Sequence, residues 1–131
     1  MNRTLRTDRL EITADLFGNH FPLQIEPTIY AFAEQLSDTY TGGYWHFYTL
    51  DNGGFYMAPD QQSYPVISEN GFTGRMSGEA FGITVCLYAY SHLSFSTNGT
   101  DMAECCARHF HWLREYALDH PEARAILAAV D

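Results

Sequence analysis

Residues 42–59, Gly-Gly-Tyr-Trp-His-Phe-Tyr-Thr-Leu-Asp-Asn-Gly-Gly-Phe-Tyr-Met-Ala-Pro, constrain the fold more than any other stretch. Two aromatic runs flank Asn52-Gly53-Gly54, and aromatic side chains suit a pleated, half-buried surface. Asn52-Gly53 supplies the two positive-φ positions of a tight type I′ turn, so the stretch predicts a β-hairpin. A two-residue turn places His46, Tyr48, Leu50, Phe55 and Met57 on one face and Trp45, Phe47, Thr49, Tyr56 and Ala58 on the other. Both faces are largely apolar. Such strands are covered on each side, or covered on one side with the other left as a contact surface. Pro59 ends the second strand, and Tyr64 to Ser68 reads as the third strand of an antiparallel meander.

Helices surround the hairpin. From Pro27 to Tyr40, residues Ile29, Ala33, Leu36 and Tyr40 form one apolar stripe, and Pro27 suits a first helical position. Ser77 and Glu79 mark another helix start, followed by Ala80 to Phe95 without a turn signal. Ile83, Val85, Tyr88 and Tyr90 favour strands, yet the run is too long for one strand, and it is read as a mostly buried helix. Asp101 to Glu104 resembles a capping box for a helix reaching Leu118, and Pro121 opens a short final helix. Residues 1–15 show no sustained period and read as a flexible arm. The predicted fold is α+β: a single compact domain over residues 1–131, with a small antiparallel β-meander packed against several helices.

The charge layout excludes several functions. The chain carries no lysine, and its seven arginines are absent from Leu10 to Gly74, a window that holds eight acids. A formal net charge of −9 argues against direct nucleic-acid binding, which needs cations to neutralise phosphates. Without lysine, Schiff-base chemistry and a P-loop are both ruled out, and the paired glycines match no dinucleotide fingerprint. Three cysteines, an odd number, read as reduced thiols of a cytoplasmic protein. No apolar run approaches the ~20 residues of a membrane span, so no membrane association is expected.

Catalytic, cofactor and metal sites are not distinguished. Cys105 and His109 are four apart, but a structural zinc site needs four ligands and no second pair stands at suitable spacing. Cys86 lies in an apolar run and reads as an inert thiol. His46, among the hairpin aromatics, is the one candidate general base. A small metal-dependent or His-dependent hydrolase using His46, or His109 with Cys105, is therefore the competing reading. Asp131 places a carboxylate at the negative end of a helix, where it does not help the helix and so becomes a candidate contact residue.

Residues 44–59 resemble the signature of the plasmid antirestriction protein family of the ArdB/KlcA type, most specifically in Asn-Gly-Gly-Phe-Tyr-Met-Ala-Pro from Asn52 to Pro59. The resemblance extends to Leu16-Phe17-Gly18, Met76 to Ile83, Leu113 to Ala117 and His120 to Ala123. It implies a small, non-enzymatic protein of mobile genetic elements. Such a protein relieves restriction by type I restriction–modification systems through contact with the enzyme complex or an associated host factor. The candidate interaction or motif residues are Trp45, Asp51, Asn52, Gly53, Gly54, Phe55, Tyr56, Met57, Asp60 and Asp131, with no catalytic residue, cofactor or metal. DNA mimicry by the acids of the arginine-free window is a variant of this reading.

Overall fold

In chain order the computed structural model, which describes all 131 residues, runs β1 (Arg3–Arg6), α1 (Arg9–Phe17), a π-helical turn (Phe21–Ile25) and α2 (Glu26–Leu36). Then come β2 (Trp45–Leu50), β3 (Phe55–Pro59), β4 (Tyr64–Ile67), β5 (Thr73–Met76), α3 (Gly78–Ser96), α4 (Asp101–Leu118) and α5 (Ala123–Val130). This is the expected α+β class, but the strands are arranged differently. The hairpin's third strand is β1, which pairs with β2, while β4 and β5 form a separate two-stranded sheet. Residues 1–15 are thus strand and helix, not an arm: Thr4 lies opposite Thr49 and Leu5 opposite Tyr48.

The hairpin register also departs from expectation. Leu50 and Gly54 close a three-residue loop, with the Leu50 N–H donating to the Gly54 carbonyl at 2.9 Å and the Gly53 N–H to the Leu50 carbonyl at 3.0 Å. Gly53 takes the positive φ of 103°, and Asn52 does not go positive, so the turn is not type I′. The Asn52 side chain accounts for this: its Oδ1 accepts the Gly54 N–H at 3.0 Å and its Nδ2 donates to the Trp112 carbonyl at 2.9 Å. One extra loop residue shifts the pairing by one, so that Phe47 faces Met57 and Tyr48 faces Tyr56. Every side chain of β3 therefore lies on the face opposite to the one a two-residue turn gives it.

The core forms around α3. Twelve of its nineteen residues are buried, on all sides of the helix, which is why no helical period marks the sequence. Ser77 caps it as expected, its Oγ accepting the Ala80 N–H at 3.1 Å. The following helix is capped one residue earlier than expected, by Thr100 accepting from Ala103 at 3.1 Å. On the sheet's inner face Phe17, Phe21, Phe47 and Phe55 meet edge to face or stacked, with centroids 5.4–5.7 Å apart. On the other side, the stripe Ile29, Ala33, Leu36 and Tyr40 is buried as read, though the helix itself stops at Leu36.

Along the edge of β3 that pairs with no strand lies α3, at backbone contact. A Cβ on Gly82 would stand 2.4 Å from the Met57 carbonyl oxygen and 2.5 Å from the Ala58 Cα. Neither backbone atom can move without shifting the strand. Gly82→Ala is expected to lower stability by about 2 kcal/mol or more, within the range of overpacked cores, measured as a lower urea midpoint at unchanged slope.

Candidate functional site

One face of the three-stranded sheet is covered and the other is partly open. Trp45 and Phe47 are buried, whereas their neighbours His46 and Tyr48 are half-buried and point outward. On this outer face the rings follow one another along β2 and β3. Tyr44 lies 5.1 Å from His46, Tyr48 stacks on Tyr56 at 5.0 Å, and Tyr56 stacks on Tyr116 of α4 at 5.7 Å. Arg3 of β1 sits over the Tyr48 ring at 4.3 Å.

Beside these rings opens a cleft of about 540 Å³, bounded by Arg3, His46, Tyr48, Asp60, Ser77 and Glu79. Three parts of the chain bring its charges together: β1 supplies Arg3, the end of β3 supplies Asp60, and the first turn of α3 supplies Glu79. Glu79 is engaged on both oxygens. Oε1 accepts from the Tyr56 hydroxyl at 2.6 Å and pairs with Arg3 at 2.8 Å, and Oε2 lies 3.4 Å from His120 Nε2. The Glu122 N–H donates to His120 Nδ1 at 3.0 Å, so the ring proton resides on Nε2 and points at the carboxylate. The His120 bond, with the Tyr56 hydroxyl and the Arg3 charge, holds the Glu79 carboxyl down to about 2 against its partial burial. Burial and the neighbouring carboxylate push the Tyr56 phenol well above its ordinary value. Glu79 is therefore an anion and Tyr56 a neutral donor across the physiological range, a fixed pair with no proton to exchange.

On the rim, His46 is hydrogen-bonded to Asp60, whose side chain is 65% exposed. This pair orients an imidazole toward the cleft, which is the half of a nucleophile–base arrangement that accepts a proton. The hydroxyl of Ser77 is already committed, accepting from Ala80 and donating to Glu122. In the interior, burial and the Arg108 charge push His109 down to about 4, and its Nδ1 has no hydrogen-bond partner. Burial raises Cys105, whose thiol donates to the Leu16 carbonyl, and pushes Cys86 and Cys106 up to about 12. No three His, Cys, Asp or Glu side chains converge as metal ligands.

The residues singled out from sequence separate into five groups. Trp45, Phe55 and Met57 are in the core, with the Trp45 indole donating to the Tyr40 hydroxyl at 3.0 Å. Asn52, Gly53 and Gly54 seat the hairpin tip on Trp112: a Cβ on Gly54 would lie 2.9 Å from the Trp112 Cβ. Asp51 accepts the Asn2 N–H at 2.9 Å and so secures β1. Only Tyr56, through its hydroxyl, and Asp60 belong to the cleft. Asp131 lies elsewhere, paired with Arg114 at 3.0 Å. Arg3, Glu79 and His120 were not singled out as site residues from sequence, and Tyr48 was read only as part of a hairpin face. The run Arg3-Thr4-Leu5-Arg6 shows no two-residue alternation of polarity, so no local signal pointed to Arg3.

Residues 38–131 match the family described as antirestriction protein. The antirestriction protein KlcA of Escherichia coli is 40% identical over 125 residues, covering 94% of this chain and 88% of that protein. The uncharacterised protein YfjX of E. coli K12 is 43% identical over 113 residues, covering 83% of this chain and 72% of that protein. A solved structure superimposes with a TM-score of 0.89 at 37% identity, over 99% of this chain and 94% of that one. It belongs to work on the KlcA and ArdB proteins, which show a novel fold and antirestriction activity against type I DNA restriction systems in vivo but not in vitro.

Glu79 and His109 separate in pH. Below 6.5 the unfolded chain protonates His109 while the folded chain resists until about 4, so this contribution to stability is lost as pH falls through that window. Glu79 contributes stability above 4.5 that is lost as pH falls toward 2. Urea unfolding from pH 7 to pH 3 is expected to show stability falling throughout. His109→Phe is expected to flatten the limb between 6.5 and 4 by up to roughly 3 kcal/mol. Glu79→Gln is expected to flatten only the part below 4.5.

Proposed function

The chain belongs to the antirestriction protein family, and from that premise we propose that it relieves restriction by type I restriction–modification systems through protein contact and without catalysis. The observation that carries this reading is the agreement of sequence and fold with the KlcA and ArdB proteins over nearly the whole chain. On this reading residues 1–131 act as one domain inside the cytoplasm, where restriction occurs. No helix is long and apolar enough to cross a membrane.

Several features support contact over chemistry. Glu79, Tyr56 and Ser77, the groups beneath and beside the cleft, are committed to internal hydrogen bonds. The raised Cys105 thiol and the depressed His109 are both neutral at pH 7, so they lack the thiolate that a cysteine nucleophile needs. What remains accessible is a surface of tyrosine, histidine and arginine with exposed Asp60, and of these tyrosine and arginine are enriched in protein interfaces. The partner is the type I enzyme complex or a host factor associated with it. The related proteins act in vivo but not in vitro, which favours a partner present in cells beyond the purified enzyme.

The deciding measurement is the plating efficiency of unmodified phage on cells carrying a type I system, with and without the protein. A severalfold rise is expected, and no rise would remove the proposal. His46→Asn is expected to retain the rise if the outer face acts by contact, whereas complete loss with the fold intact would favour the hydrolase reading.

A further inference from the structure

The long central helix is uncovered along one strip. Tyr88, Ser91, His92 and Phe95 stand at i, i+3, i+4 and i+7 of α3 and, together with Ser94, are the half-buried or exposed residues between Tyr88 and Phe95. Phe95 is 80% exposed. Phe32 of α2 borders the strip, its ring 5.5 Å from Tyr88 and 5.6 Å from His92. Phe110 of α4 borders it from the other side. Two depressions of about 720 and 420 Å³ adjoin at Ser91 and Phe110, which line both, and together form a trough along the strip. An isolated surface phenylalanine needs no explanation, but four aromatic residues from three helices along one trough form a patch of the kind that marks an interface.

The charge along the trough is one-sided. Its walls carry Glu104, Glu69 and Asp131 and no arginine. Asp131 is shared with Arg114, and Glu69 accepts only the Gln35 amide at 2.5 Å. We propose that this trough docks an amphipathic helix of a partner protein, with aliphatic residues on the face that meets Phe95 and Tyr88 and Lys or Arg at its margins. The strip from Tyr88 to Phe95 is about 10 Å long, which matches two turns of a helix presenting anchors at i, i+3 or i+4, and i+7. A second copy of this chain is a poor occupant. A two-fold contact would set the acidic rim against itself in a molecule of net charge −9. The trough is separate from the outer sheet face, and the inference stands whether or not that face is used.

A fluorescein-labelled amphipathic peptide with Leu on one face and Lys on the other tests the site by anisotropy against the full chain. Binding is expected, with a Leu/Glu peptide at least about tenfold weaker. Phe95→Asp and Glu104→Lys are each expected to weaken the Leu/Lys peptide at least about tenfold, which is ~1.4 kcal/mol. Leu10→Asp, which changes an equally exposed side chain on α1, is expected to leave it unchanged. Thermal unfolding of each variant confirms the fold, and Phe95→Ser provides a milder second variant. Equal binding by Phe95→Asp and the wild type overturns the proposal. So does a homodimer in sedimentation that Phe95→Asp dissociates. In cells, Phe95→Asp is expected to abolish most of the rise in phage plating that the wild type gives. This cellular arm rests on the antirestriction reading; if the wild type gives no rise, that reading falls while the peptide result still decides the docking site.

Discussion

The contact between α3 and the edge of β3 is the constraint on which the remaining architecture depends. An exposed strand edge presents unpaired N–H and carbonyl groups, and here a helix covers them. The free carbonyls of Phe55 and Met57 are met from α3 by the Tyr90 hydroxyl at 2.8 Å and the Cys86 thiol at 3.6 Å. Gly78 and Gly82 let the two backbones approach. Pro59 sits on the same outward-facing register, opposite Trp45, where a missing N–H costs no ladder bond. Because α3 is fixed along the edge, its first turn delivers Glu79 to the outer sheet face and its last two turns leave Phe95 uncovered. One packing decision thus positions both surfaces.

How much of this was legible follows from which signals are local. The hairpin, the helix over residues 78–96 and the apolar stripe of α2 were readable because aromatic runs, a serine cap and four-residue spacing are written in adjacent positions. The hairpin register was not, because the choice between a two- and a three-residue loop rests on Asn52 bonding to the Trp112 carbonyl, sixty positions away. The loss of periodicity in α3 had a related cause. A helix buried on every side carries no wet face to mark its turns, so strand-forming residues such as Ile83 and Val85 left the type to be settled by length. The N-terminal strand was missed for a third reason: its four residues have no apolar stripe and gain their order from β2.

The same distinction runs through the candidate site. Asp60 and Tyr56 were reachable from the hairpin motif, but Arg3, Glu79 and His120 meet only because three distant segments converge, and none announces itself by spacing. Convergence also alters their chemistry. Glu79 in isolation is an ordinary N-terminal helix carboxylate; against His120, Tyr56 and Arg3 it becomes an anchor ionised across the physiological range. It ties the first strand to the central helix, so the half-exposed rings of Tyr48 and His46 are held on a rigid floor. Rigid aromatic side chains lose little conformational entropy on binding, which suits a surface that works by contact.

The motif from Asn52 to Pro59, specific enough to identify a family, is for the most part a packing motif. Asn52 and the two glycines seat the loop on Trp112, Phe55 and Met57 fill the core, Tyr56 bonds Glu79, Ala58 admits Gly82, and Pro59 occupies the one strand position that needs no N–H. Each change there would disturb the hairpin tip, the edge contact or the core. Substitutions at Phe95, Glu104 or His46 would leave all three intact. Surfaces of the second kind are free to be matched to a partner without risk to the fold. It follows that the residues that best identify such a protein need not be those it exposes to a partner, and in this chain even Tyr56, the motif residue bonded to Glu79 of the cleft, is itself fully buried.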